Sequence, residues 1–194
     1  MRKIAAFLPA VMIFSAALTG CSGHIHDKSY LQAVSVEGKK KTTLTLSFYG
    51  EDSVVIGIGD DTDSAKHDAE LKLGKEIFTG YTELVIIDDV ENAEKLEYFL
   101  NEWKVPPSCI TASGSSELLQ NVSADKLIGS VKQAKKQGTA PECDIITVLS
   151  KLLHSESAET AKLSEEGFEG VTKISSDALQ LRTRHQGDSM DRHN

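Results

Sequence analysis

Apolar residues recur along this chain at two different spacings, and the alternation between them predicts strands and helices in turn. Tyr30 to Val36 alternates in part, with Leu31, Ala33 or Val34, and Val36 on the apolar side. Thr42 to Tyr49 places Leu44, Leu46 and Phe48 on one face. A period of two buries one face of a strand. Glu37-Gly38-Lys39-Lys40 lies between the two runs and has turn chemistry, so together they predict a β-hairpin. Val54-Val55-Ile56 either extends the second arm or forms a short strand. Asp60 to Asp63 then predicts a helix start, because carboxylates there interact favourably with exposed amides and the helix dipole. Ala65, Ala69, Leu73 and Ile77 follow at four-residue spacing and predict one helix running to Gly80.

The second half continues the alternation. Leu84-Val85-Ile86-Ile87 is a short, wholly apolar run, as expected of a central strand. Asp88-Asp89 predicts a cap for a helix with Leu96, Phe99, Leu100 and Trp103 inward, stopped by Pro106-Pro107. Cys109 to Ala112 predicts a strand, and Glu117 to Gln120 a helical turn. Ser123 and Asp144 are read as caps of two further helices. The first buries Leu127, Ile128, Val131 and Ala134 and ends at Gly138; the second buries Ile145, Val148, Leu149 and Leu152. Ser155 to Glu165 is polar and is expected to be a loop, and Phe168 to Ile174 a last strand. The fold class expected is α/β: a mixed β-sheet with an N-terminal hairpin and packed helices, in one domain over residues 28–179. Beyond Leu179 only Leu181 and Met190 are apolar, so residues 180–194 are expected to be a disordered tail.

The beginning of the chain follows neither spacing. Met1-Arg2-Lys3 is basic, Ile4 to Leu18 is apolar apart from Ser15, and Leu18-Thr19-Gly20-Cys21 follows. Fifteen residues are too few for a bilayer span, which needs roughly 20. A basic start, a short apolar stretch and small residues before a cut site describe an export signal. Here the cut site resembles a bacterial lipobox. Residues 1–20 are then a lipoprotein signal peptide, Cys21 the lipidated residue, and residues 21–27 a polar tether. A diacylglyceryl group supplies the two chains that stable anchoring requires. The expected location is therefore a membrane, with the domain lipid-anchored on its extracytoplasmic face.

Composition narrows the partners. With 21 Lys+Arg against 29 Asp+Glu the net charge is −8, and loss of Arg2 and Lys3 takes it to −10. Phosphate backbones require a positive surface, so nucleic acid is excluded as the main partner. Aromatic residues are only 6% of the chain, which disfavours a broad stacking platform. With Cys21 lipidated, Cys109 and Cys143 remain, both in proline-flanked loops. Export permits a disulfide between them, and two free thiols are the other reading.

Catalytic signals are thin. Gly57-Ile58-Gly59 precedes a helix but lacks the Lys-Ser/Thr of a phosphate loop, and Asp60, Asp61 and Asp63 would repel phosphate there. The same acids lack the alternation, central Gly and late Glu of a calcium loop. His24 and His26 lie in the polar spacer, His67 and His154 fall in predicted helices with no ligand partner at i+4, His185 and His193 lie in the tail, and two cysteines alone do not make a zinc site. Ser113-Gly114-Ser115-Ser116 shares only composition with a nucleophile loop. The expectation is no enzyme, no cofactor and no metal.

Three segments, in order, carry a resemblance. Asp27-Lys28-Ser29-Tyr30-Leu31-Gln32-Ala33-Val34-Ser35-Val36-Glu37-Gly38 follows the lipobox closely. Leu73-Gly74-Lys75-Glu76-Ile77-Phe78-Thr79-Gly80-Tyr81 leads into Leu84 to Ile87, and a helix ending in a double proline and a short strand come next. Over roughly residues 18–175 this resembles the N-terminal domain of the Ger(x)C spore-germination lipoproteins, the C subunits of GerA-type germinant receptors. Tyr81 stands where the family pattern has His, Asp88-Asp89 stands near its Gly-Glu, and Glu166 to Gly170 corresponds to the start of its next domain. The family's larger C-terminal part is expected to be missing. The resemblance implies a non-catalytic receptor subunit acting in spore germination, with integral-membrane A and B subunits as partners and the inner spore membrane as location. The alternative expectation is a small extracytoplasmic ligand- or metal-binding lipoprotein.

Overall fold

The computed structural model describes residues 28–38, 40–87, 93–155 and 157–175. The expected signal peptide, Cys21, the expected tether, Asp88-Asp89 and residues 180–194 lie outside the described residues, as do His24, His26, His185 and His193.

The predicted hairpin forms. Strand β1 (Lys28–Glu37) pairs antiparallel with β2 (Thr42–Phe48), and β2 pairs antiparallel with β3 (Val55–Gly59). The β1–β2 register shifts between Leu31 and Ala33, and the run Leu31 to Val36 is buried throughout instead of alternating, because β1 lies inside the sheet between β2 and β5 and is covered on both faces. Helix α1 (Thr62–Leu73) begins at Asp61, whose side chain accepts from the Ser64 amide at 2.7 Å. It ends at Gly74, which takes a left-handed φ of 67° and closes onto the Glu70 carbonyl.

Here the expected helix is cut short. Ile77 belongs not to the helix but to β4 (Glu76–Phe78), which pairs parallel with Lys28 to Tyr30. The four-residue spacing carried across Gly74 because Ile77 is buried in either arrangement. Glu70 also accepts from the Ile77 amide, tying helix to strand.

Strand β5 (Leu84–Ile87) pairs parallel with β1 on one side and with β6 (Ile110–Ser113) on the other. All four of its residues are buried, so both faces of the sheet are covered at its centre. Helix α2 (Ala93–Asn101) joins β5 to β6 and buries Leu96 and Phe99, while Trp103 packs edge-on against Phe99 from beyond the helix end. A short α3 (Leu118–Asn121), then α4 (Ala124–Lys136) capped by Ser123, and α5 (Ile145–Ser155) follow, with the predicted residues inward.

The polar stretch expected to be a loop is instead β7 (Ser157–Ser164), parallel to β6 and antiparallel to β8 (Gly167–Ser175). Its inward residues are Ala158, Thr160, Ala161 and Leu163, too small or polar to register as an apolar face. The sheet order is β3-β2-β1-β5-β6-β7-β8, with β4 beside the start of β1, a mixed eight-stranded sheet within the α/β class. One core cluster runs from Leu31 to Ile174. No helix among the described residues is long and apolar enough to cross a membrane.

Candidate functional site

Strands β1, β5 and β6 run parallel, so their amino ends meet along one edge. A cavity of about 670 Å³ opens there, lined by Tyr30, Tyr49, Tyr81, Glu83, Cys109 and Lys132 among others. Its size lies within the roughly 300–1,000 Å³ of small-molecule sites. The elements place each group. Tyr30 is the third residue of β1, Tyr49 follows β2, Tyr81 and Glu83 precede β5, Cys109 precedes β6, and Lys132 projects from α4.

The rings pack on one another at the rim. Tyr30 stacks on Tyr81 with centroids 5.8 Å apart, and Phe78 meets Tyr30 and Tyr81 edge-on at 5.6 and 5.3 Å. Lys28 lies 5.8 Å over the Phe78 ring, a cation–π distance. Below them a polar set is closed on itself. The Tyr49 hydroxyl lies 2.7 Å from Glu83 Oε1, to which it donates, and 3.1 Å from the Tyr81 carbonyl; Lys132 Nζ reaches Glu83 Oε2 at 2.5 Å.

These contacts shift the titration of the groups that make them. Lys132 beside Glu83, with the Tyr49 hydroxyl, holds the Glu83 carboxyl below its ordinary range. Burial, then the hydrogen bond and charge of Glu83, pushes the Tyr49 phenol well up. Burial, with the charges of Glu83 and Asp144, also pushes the Cys109 thiol well up, and burial raises Cys143. A carboxylate held ionised accepts protons poorly, and a protonated thiol is a weak nucleophile. The cavity offers aromatic faces and an ion pair.

Of the candidate site residues singled out from sequence, Cys109 lines this cavity and the other described ones lie elsewhere. Cys109 and Cys143 are both buried, and in the structure both thiols are free. Their backbones lie close: Thr111 donates to the Cys143 carbonyl and Ile145 to the Cys109 carbonyl, at 2.8 and 2.7 Å. Gly57-Ile58-Gly59 is not a loop but the end of β3. A Cβ on Gly57 would sit 2.1 Å from the Ala65 carbonyl oxygen, so the glycine permits α1 to approach the strand. Asp61 caps α1, and Asp68 accepts from the Ile58 amide and from Lys72. Ser113 reaches Thr160, Ser115 accepts from the Glu117 amide, and Ser116 donates to Glu37. His67 lies 3.9 Å from Glu70, and His154 bonds the Ser150 carbonyl. No three potential metal ligands converge among the described residues.

Comparison with family models, curated proteins and solved structures finds no match for this chain.

Sequence reasoning missed the cavity because its members are spread from residue 30 to residue 132. One signal was present. The chain has four tyrosines, and three of them stand at the ends of strands that meet at this edge.

Proposed function

We propose that this chain is a membrane-anchored lipoprotein and a non-catalytic subunit of a nutrient germinant receptor acting in spore germination, related to the N-terminal domain of the Ger(x)C lipoproteins. The observation that carries the reading is an ordered set of segments: the Leu18 to Cys21 lipobox, the strand that follows it, and Leu73 to Tyr81 leading into Leu84 to Ile87. In the fold that last stretch forms β4, the Tyr81 turn and β5, with both strands paired to β1. The receptor's A and B subunits are the proposed partners, at the inner spore membrane. Co-purification from detergent-solubilised membranes tests this. Integral-membrane partners are expected with the intact chain and are expected to be lost with Cys21→Ala, and loss of the protein is expected to slow germination on some nutrient. Recovery of the anchored chain alone would count against it.

The cavity favours a second reading, a lipoprotein that binds a small solute. An aromatic-lined space of this size with a few polar groups is the usual form of such a site. Calorimetry with amino acids, sugars and nucleosides separates the two. The receptor-subunit reading expects no tight binding, and micromolar affinity for one solute would transfer the assignment.

A further inference from the structure

We infer that the amino-end face of the sheet, centred on Tyr81 with Tyr30, Phe78 and Tyr49, rests on the headgroup layer of the bilayer that carries the Cys21 anchor. The inference rests on the lipoprotein reading above and adds an orientation and a contact surface to it.

Chain length gives the first argument. Lys28, the first residue of β1, stands seven residues after Cys21. Seven residues span at most about 25 Å when fully extended. Strand β1 is ten residues long, which is roughly 30 Å at the rise of a strand. A domain standing on the opposite, carboxyl ends of its strands would lift Lys28 beyond the reach of the tether. The amino ends are therefore the ends held near the membrane.

Surface chemistry gives the second argument. Tyr81 is 59% exposed and Tyr49 39% exposed at this edge, although a tyrosine ring is largely apolar. Such rings, with an apolar body and a polar tip, suit the membrane–water interface.

Charge gives the third. The mature chain is strongly acidic and would be repelled by an anionic bilayer. At this edge two of the acids are matched, Glu76 by Lys28 at 3.2 Å and Glu83 by Lys132. The part of the face around Tyr81 thus carries paired charges.

Hydroxyl-radical footprinting read by mass spectrometry tests the orientation. The probe is the full-length mature protein on vesicles of phosphatidylethanolamine and phosphatidylglycerol in equal parts, compared with the Cys21→Ala chain in solution. Severalfold slower oxidation of Tyr81 and Tyr49 on vesicles is expected. Ile58, at the carboxyl end of β3, and Val171, on β8, are exposed reporters that should stay unchanged. Tyr81 reacting equally fast in both samples, while the intact mass shows the acyl chains, would overturn the orientation and leave the lipoprotein reading standing. Protection appearing only when a membrane-protein partner is added would overturn it in favour of a protein contact. An intact mass without acyl chains would overturn the reading beneath it and the inference together.

Discussion

The same parallel strands end in two different ways. At their amino ends, β1, β5 and β6 leave a cavity with tyrosine rings at its rim and one ion pair inside. At their carboxyl ends, side chains knit the described residues together. Ser35 donates to the Ser116 carbonyl at 2.8 Å, Ser116 reaches Glu37, Lys95 reaches the Gly38 carbonyl at 3.0 Å, and Ser113 meets Thr160. Open parallel sheets generally bind ligands at the carboxyl ends of their strands. Here the described cavity lies at the other edge, where β1 begins. Fold class alone points to the carboxyl ends, and only the side chains distinguish the two edges.

The largest expected effect tests the closed end. Gly59→Ala would place a Cβ 2.3 Å from the Ala65 amide nitrogen and 2.6 Å from the Ser64 carbonyl carbon, backbone atoms at the start of α1. Helix and strand must separate, at a cost of about 3 kcal/mol. Thermal unfolding should show a drop of many degrees, and an unchanged midpoint would mean that α1 does not pack on β3 as described.

A smaller loss is expected from Ser35→Ala. Ser35 is fully buried, and its removal takes the side-chain donor from the Ser116 carbonyl. Chemical denaturation should report a loss of about 1–3 kcal/mol. A loss near zero would show that water reaches this end, and the contrast between the two edges would weaken.

The smallest effect belongs to the open end and appears as a pH dependence. Glu83 is held below the ordinary carboxylate value of 4.5, first by Lys132 and then by Tyr49. A depressed folded value means that the stabilisation is present at neutral pH and is lost as pH falls from about 4.5 through the folded value. Because the pair is partly open to solvent, its contribution is under about 1 kcal/mol. The stability gap between the wild type and Glu83→Gln should therefore close on acidification across that window. A gap that widens below pH 4.5 would reverse the sign argued here.

Much of the fold was legible because burial and periodicity coincide in it. The hairpin, β5, and the inward stripes of α4 and α5 are where the apolar pattern placed them. The two departures share a cause. Ile77 carried a helical spacing past Gly74, where a left-handed turn ends the helix, and β7 hid its inward face behind Ala and Thr. In both places tertiary pairing settled what local composition left ambiguous. The cavity was not legible, because strand order decides which chain ends become neighbours. Nothing local to Tyr49 says that its hydroxyl will meet Glu83.

The central claim is that sulfur chemistry at Cys21 holds this domain at a membrane, and metabolic labelling with a fatty acid tests it most directly. The wild-type chain is expected to take up label and to fractionate with membranes. The Cys21→Ala chain is expected to take up none while keeping the same unfolding midpoint, since the described core begins at Leu31. Equal labelling of the two chains, or no labelling of either, would contradict the account.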